Sequence, residues 1–439
     1  MALTPPRLLA SLLRSSAGFA PPTAYCVALS GGLDSSVLLH ALARAWHDGL
    51  PPLRAVHVNH GLQAGAEAWA EHCRRFCAGL GVELSILRVD ARARAGDSPE
   101  AAARRARYRA LAEALAANEA LLTAHHRDDQ AETLLLQLLR GAGPRGLAAM
   151  PPARRLGAGL LLRPLLDYER AELETYARQH ALAWVEDPSN REQAFERNFL
   201  RHQVMPLLRQ RWPGLGKTLA RSARACAEAA ALNEALAAQD MPAAPGAVLP
   251  LARLRTLPAA RRRNVLFHWL QQQGAVLPSA AQMAQLERII TAAEDAMPRV
   301  DWGEWVVWRY RDALHLLTRA ETLPLHGELD WDGRTPLPLP GLGRLESRPV
   351  RGQGLRAECL RGHLQIRFRR GGERCRPRGQ AHHRPLKKLL QDAGVPPWQR
   401  WRIPLLFIDD QLAAVIGHWP CEPFAVRQAQ QAGVELLLT

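Results

Sequence analysis

The run Ser30-Gly31-Gly32-Leu33-Asp34-Ser35 is built for holding phosphate. Two adjacent glycines let the backbone approach a phosphate with no Cβ in the way. The serines add hydroxyl donors, and Asp34 is placed to hold a magnesium ion against phosphate oxygens. The spacing is not that of a Walker loop, because no G-x-x-x-x-G-K-[ST] stands here. A second polar string, His125-His126-Arg127-Asp128-Asp129-Gln130-Ala131-Glu132-Thr133, carries histidines for proton transfer and carboxylates for pairing with a cation. Asp128 and Glu132 are one helical turn apart and share a face. A third stretch, Pro99 to Tyr108, sets Arg104, Arg107 and Tyr108 along one stripe. An arginine facing a nucleotide neutralises a leaving pyrophosphate or an adenylate phosphate. For each string a plainer reading exists: a Gly-rich turn, an N-capping aspartate, a solvated arginine face.

These residues need elements to place them. The apolar run Tyr25–Leu29 before the glycines predicts a strand, and Ser36–Leu42 after them a helix. The helix would aim its free N–H groups and positive dipole end at the loop. Further strands are expected over 53–58, 82–89 and 120–124. Further helices are expected over 66–80, 99–115, 128–140 and 169–179. Alternation of this kind predicts a doubly wound, mostly parallel α/β sheet, whose ligands bind at the carboxyl ends of the strands. Ser30, the trio His57, Asn59 and His60, and the pair His125-His126 all fall at expected carboxyl ends.

Beyond the sheet, 206–238 reads as one long Ala-rich helix. A mainly helical middle follows, with helices over 254–273 and 280–293 and strand-like sequence over 302–317. Residues 321–340 are punctuated by Pro and Gly and read as a linker. The remainder mixes short strands with a helix over 384–392, a small α+β end domain. The boundaries expected are 1–215, 216–330 and 341–439. Some motifs are decoys. Gly141 to Gly146 fits G-x-G-x-x-G but follows a helix, the wrong context for a dinucleotide fingerprint. Gly214 to Thr218 mimics a Walker tail, with Arg211 where its first glycine belongs. Cys73 and Cys77 lack the C-x-x-C spacing of a metal or redox pair.

Length and composition agree with two or three ordinary domains: 439 residues, 47% hydrophobic and 23% charged. No apolar run approaches a membrane span. Seven cysteines in no regular framework predict a reducing compartment, and a cytoplasmic location. Net charge is +15, and sixteen Lys/Arg against four Asp/Glu fall between Arg344 and Arg402. A basic block of this kind is the electrostatic footprint of a nucleic-acid partner. Its plainer reading is a solubilising surface.

The pattern S-G-G-x-D-S resembles the pyrophosphate loop of the N-type ATP pyrophosphatases. With VHVNHGLQ, EAAARRARYRAL, TAHHRDDQAETLLLQLLRGAGPRGLAAM, LLRPLL, WVEDPSN, ERNFLRHQVMPLL and the basic C-terminal stretch, the chain resembles the bacterial tRNA(Ile)-lysidine synthetase family over nearly its whole length. The resemblance implies that ATP adenylates the C2 carbonyl oxygen of the wobble cytidine in the CAU anticodon of tRNA(Ile). Free lysine then attacks C2, leaving lysidine and releasing AMP. It implies ATP binding by Ser30, Gly31, Gly32, Leu33, Asp34 and Ser35, with magnesium at Asp34. Asp34, Arg104 and His126 would be catalytic, with His125 open as the alternative to His126. Lysine would pair with Asp128, Glu132 or Asp187. Arg369, Arg370, Arg374, Arg378, Arg384, Lys387 and Lys388 would hold the tRNA by its phosphates. Two other readings stay open: another tRNA-modifying enzyme of the superfamily such as a thiolase, though its paired cysteines are missing, and an RNA-binding relative that has lost catalysis. The oligomeric state is open, a homodimer among the candidates.

Overall fold

In the computed structural model the chain begins with α1 (Pro5–Ser15), β1 (Ala24–Ala28), α2 (Leu33–Ala45), β2 (Leu53–Asn59), α3 (Ala66–Leu80) and β3 (Glu83–Arg88). It continues through α4 (Pro99–Glu113), β4 (Glu119–Leu122), α5 (Arg127–Leu139), α6 (Pro144–Leu147), β5 (Ala153–Leu156), β6 (Gly159–Leu162) and α7 (Arg170–Gln179). The structure describes residues 2–16, 18–59, 61, 65–90, 99–186, 196–242, 246–293 and 296–439, without the side chains of 99–101. His60 and Asp187 therefore lie outside the described residues.

The six strands form one sheet in the order β3-β2-β1-β4-β6-β5. All neighbours pair in parallel except β5, which runs antiparallel on the edge beside β6. The doubly wound expectation holds. Successive side chains of a strand point to opposite faces, and here both faces are covered. Tyr25 and Val27 enter a core with α1, α2 and α7, while Cys26 packs with Leu111, Leu121 and Leu161 under α4. The chain turns left from β1 to β2 and right to β4, so a crevice opens at the carboxyl ends of β1 and β4. The β5–β6 hairpin was not legible as strands. Its turn is marked by Gly157, at φ +55°.

After α7 come α8 (Glu196–Phe199), a π-helical turn over Leu200–Val204, α9 (Met205–Arg211) and α10 (Leu215–Asp240). The long helix expected over 206–238 is thus two helices. Pro213 cannot continue the first one and forces Trp212 to φ −128°, ψ 84°.

The chain divides into two compact units, 1–233 and 234–439, with the division inside α10. The second unit opens with β7 (Val248–Pro250), α11 (Leu251–Thr256), α12 (Ala259–Gln272), α13 (Ala280–Ile290), β8 (Arg299–Trp302), β9 (Trp305–Tyr310), β10 (Ala313–Thr318) and α14 (Arg319–Thr322). The helix expected over 254–273 is interrupted at Leu257-Pro258 for the same reason as above. The strands form a sheet in the order β7-β10-β9-β8, packed on α11 to α13 around Trp269, Leu286 and Val307. Then follow β11 (Glu328–Trp331), β12 (Leu337–Leu339), β13 (Gly343–Arg351), β14 (Leu355–Arg356), β15 (Leu364–Phe368), β16 (Arg374–Cys375), β17 (Arg384–Pro385), α15 (Leu386–Asp392), α16 (Pro397–Arg400), β18 (Pro404–Ile408), β19 (Gln411–Val415), β20 (Trp419–Pro420) and β21 (Ala432–Leu438). They assemble as β11-β15-β18-β19-β20, β12-β13-β21-β14 and the short pair β16-β17. Residues 321–340, expected as a linker, instead supply β11 and β12. Trp331 and Leu339 are core residues of these sheets, which is why the segment is ordered against them.

Candidate active site

The loop between β1 and α2 is organised by its own hydroxyls. The Ser30 N–H donates to Ser35 Oγ at 3.1 Å, the Gly32 N–H donates to Ser30 Oγ at 3.3 Å, and Ser35 Oγ donates to the Gly32 carbonyl at 3.1 Å. Gly31 sits at φ +83°, where a Cβ would come within 3.1 Å of Cys73 Sγ. A side chain is excluded both by the backbone angle and by α3 behind the loop. Gly32 caps α2 without a side-chain acceptor, so the first N–H groups of the helix face the crevice. This is a phosphate cradle in which donors, glycines and dipole coincide.

Asp34 lies in the first turn of α2. Its Oδ1 is buried without a hydrogen-bond partner, and its Oδ2 is 3.7 Å from His126 Nε2 and 3.8 Å from an Arg170 guanidinium nitrogen. His126 caps α5 at the end of the β4 segment, and its backbone N–H donates to Asp129 Oδ2 at 3.0 Å. Its imidazole is almost wholly buried among three carboxylates. Besides Asp34, Asp129 is 3.4 Å from Nε2 and Asp128 is 3.7 Å from Nδ1. Burial opposes a charge on this ring, but Asp129, Asp34 and Asp128 outweigh it and raise its pKa. His125 is the contrary case. Burial, together with Arg163, Arg197 and Arg104, pushes its pKa down to about 3, against the pull of Asp129. Its Nδ1 is 2.9 Å from Thr123 Oγ1. Two neighbouring histidines thus hold opposite charge preferences, set by what surrounds each.

Behind His126 stands an ion-pair network that links α5 to α8 and the π-helical turn. Arg197 donates to Glu132 and Asp129 at 2.9 Å each. Arg201 donates to Glu132 at 2.7 and 2.9 Å and to Asp129 at 2.9 Å. Asp128 accepts from Arg209 and from the Arg170 backbone N–H. Burial works against the Asp129 charge. His126, Arg197, His125 and Arg201 overcome it and hold the carboxyl well below its ordinary range. Both oxygens of Glu132 are occupied by arginines, and its side chain is only 3% exposed. The expectation that Glu132 meets a free amino acid finds no open oxygen there. Asp128 is the more accessible of the two. From the sequence, Arg197 and Arg201 read only as a helix start. Their spacing of four is the signal that they share a face, and only folding reveals what they face.

Arg104, in α4, is exposed at the carboxyl end of the sheet, close enough to bear on His125. The structure therefore brings Ser30, Gly31, Gly32, Leu33, Asp34 and Ser35 of the cradle to the same end of the sheet as Arg104 and His126. A magnesium ion fits the chemistry of this donor set. Asp34 Oδ1 is an unpartnered buried oxygen beside a phosphate cradle, and magnesium is held through one or two carboxylates plus phosphate oxygens.

In the second unit the basic residues differ among themselves. Arg370, Arg374, Arg378, Lys387 and Lys388 are exposed, and Arg384 is half-buried and paired with Asp392 at 2.6 Å. Arg369 stands apart from them. Its side chain is 5% exposed, paired with Glu373 at 3.3 Å and seated 4.7 Å over the Trp401 ring. The pairing and the ring leave it less open to a phosphate than its exposed neighbours. Among the described residues no helix is long and apolar enough to cross a membrane.

The PP-loop domain family matches residues 7–208 of this chain. The TilS substrate binding domain matches 249–315, and the TilS substrate C-terminal domain matches 364–436. The tRNA(Ile)-lysidine synthase of Alkalilimnicola ehrlichii is 47% identical, covering 97% of both chains. That of Methylococcus capsulatus is 44% identical over 93% of this chain and 95% of its own. That of Coxiella burnetii is 43% identical over 92% and 90%.

Proposed function

The chain belongs to the tRNA(Ile)-lysidine synthase family, and from that premise we propose how its residues carry the reaction. It is an ATP-using enzyme that forms lysidine on tRNA(Ile). Free lysine is the proposed second substrate, magnesium the proposed ion, and the cytoplasm the proposed compartment, which suits seven cysteines standing as free thiols.

In this reading the loop from Ser30 to Ser35 and the start of α2 bind the ATP phosphates through backbone N–H groups. The O2 of the wobble cytidine attacks the α-phosphorus, and pyrophosphate leaves. Magnesium, when bound at Asp34, supplies positive charge that neutralises phosphate oxygens. Arg104 steadies the phosphate charge from the α4 side. The lysine amine then attacks C2, its proton passes to a base, and the C2–O bond breaks to free AMP. His126, whose charged form three carboxylates favour, steadies the adenylate charge as AMP departs. Asp128 is the proposed partner of the lysine ammonium. Glu132 and Asp129 hold Arg197 and Arg201 so that the wall behind His126 does not move. Arg370, Arg374, Arg378, Arg384, Lys387 and Lys388 are the proposed phosphate contacts to the tRNA.

The observation that carries this reading is the meeting of two distant motifs. Asp34 of the phosphate loop and Asp128 and Asp129 of α5 converge on one buried imidazole. The test is transfer of radiolabelled lysine to an unmodified tRNA(Ile) transcript with a CAU anticodon, in the presence of ATP and magnesium. Incorporation is expected with the native chain, absent in Asp34→Ala, and absent with methionine tRNA of the same anticodon. RNA-dependent ATP–pyrophosphate exchange without lysine incorporation would refute the assignment of lysine.

A further inference from the structure

Arg104 has no carboxylate partner among the described residues. Its guanidinium lies 5.0 Å from the centre of the Tyr108 ring, one turn further along α4. The Tyr108 side chain lies near the Arg163 guanidinium, just past the end of β6, close enough to bear on its charge. Arg163 is itself immobilised. It is 4% exposed, its backbone N–H donates to the Pro152 carbonyl at 2.9 Å, and its side chain donates to the Pro151 carbonyl at 2.6 Å.

We propose that Tyr108 is the positioning residue of Arg104. This rests on the reading of Arg104 as a group that steadies phosphate charge. A carboxylate would hold an arginine firmly, but it would also cancel the charge that a phosphate needs. An aromatic face attracts a guanidinium while leaving its N–H donors free and its charge largely uncompensated. The local electrostatics make such a hold necessary. Arg154 of β5 lies 5.7 Å from the same ring, and neither Arg154 nor Arg163 has a carboxylate partner among the described residues. Like charges gathered around one ring favour an unheld, exposed Arg104 turning outward into solvent. The ring offsets that repulsion. Arg163 is buried with its Nε unsatisfied, a cost that a purely packing role would avoid by using an apolar side chain.

The experiment uses the full chain with tRNA(Ile) transcript, ATP, magnesium and lysine. Tyr108→Leu is expected to lower kcat about tenfold, with KM for ATP and for tRNA within about twofold of the native values. Tyr108→Trp, which restores a ring face, should recover most of the loss. In an Arg104→Ala background, Tyr108→Leu should cost nothing further, because the group it positions is gone. Should the leucine variant not fold, Tyr108→Phe decides, since it keeps the ring face and removes only the hydroxyl. It should run within about twofold of the native kcat, and a loss of about tenfold would overturn the role of the ring face. Additive losses in the double variant, or a change confined to the tRNA KM, would overturn the positioning role alone. An Arg104→Ala enzyme running at the native rate would overturn both this inference and the role of Arg104 beneath it.

Discussion

Glu132→Gln separates two roles for one carboxylate. The amide keeps the shape of the side chain but turns one of its two oxygens into a donor that faces guanidinium N–H groups. Three charge-assisted bonds are lost or weakened, from Arg197 at 2.9 Å and from Arg201 at 2.7 and 2.9 Å. Breaking one side of a fully buried pair costs about 3–5 kcal/mol. Here the arginines are 24% and 26% exposed, and Asp129 still accepts from both. Water and Asp129 therefore recover part of the loss, leaving about 2–3 kcal/mol. For a unit of this size that corresponds to a fall in Tm of roughly 5–10 °C. Scanning calorimetry measures it, alongside initial rates against lysine concentration. The expected result is a lower Tm with the lysine KM within about twofold of native, because no Glu132 oxygen is open to a ligand. An unchanged Tm with a tenfold rise in lysine KM would refute the reasoning and return Glu132 to the substrate.

Other outcomes follow from the same geometry. His126 has a folded pKa raised above its ordinary 6.5. The stability it contributes is present below that value and fades as pH rises through the folded one. Denaturant unfolding should therefore show a larger gap between the native chain and His126→Gln at pH 6 than at pH 9, and the reverse order would contradict the carboxylate cage. Gly31→Ala meets both a left-handed backbone and Cys73 Sγ at 3.1 Å, and should cost about 1–3 kcal/mol with a raised ATP KM. Adding Cys73→Ala should recover only part of this, since the backbone angle remains. Full stability of the single variant would refute the strain. Replacing Lys387 and Lys388 by Gln should reduce the slope of log affinity for tRNA against log salt by about two. Arg369→Met should leave the slope unchanged and lower stability instead. A slope lowered by Arg369→Met would put that side chain at the RNA.

The phosphate cradle, the alternation of strands and helices, and the basic tail were legible because each is local. A strand, two glycines, an aspartate and a helix start lie within twenty residues, and the chemistry of the cradle needs nothing from elsewhere. Prolines explain where local reading overran: Pro213 and Pro258 each cut a helix that periodicity alone extended. The tertiary structure decided which charges meet. Arg197 and Arg201 stand 65 or more residues from Glu132, and Arg369 is indistinguishable from its exposed neighbours until Trp401 is placed beneath it. The opposite charge preferences of His125 and His126 arise from what each meets in the fold: burial with Arg163, Arg197 and Arg104 for the first, and Asp129, Asp34 and Asp128 for the second. A pKa depends on burial and on charges a few ångströms away, and adjacent residues in a chain need share neither.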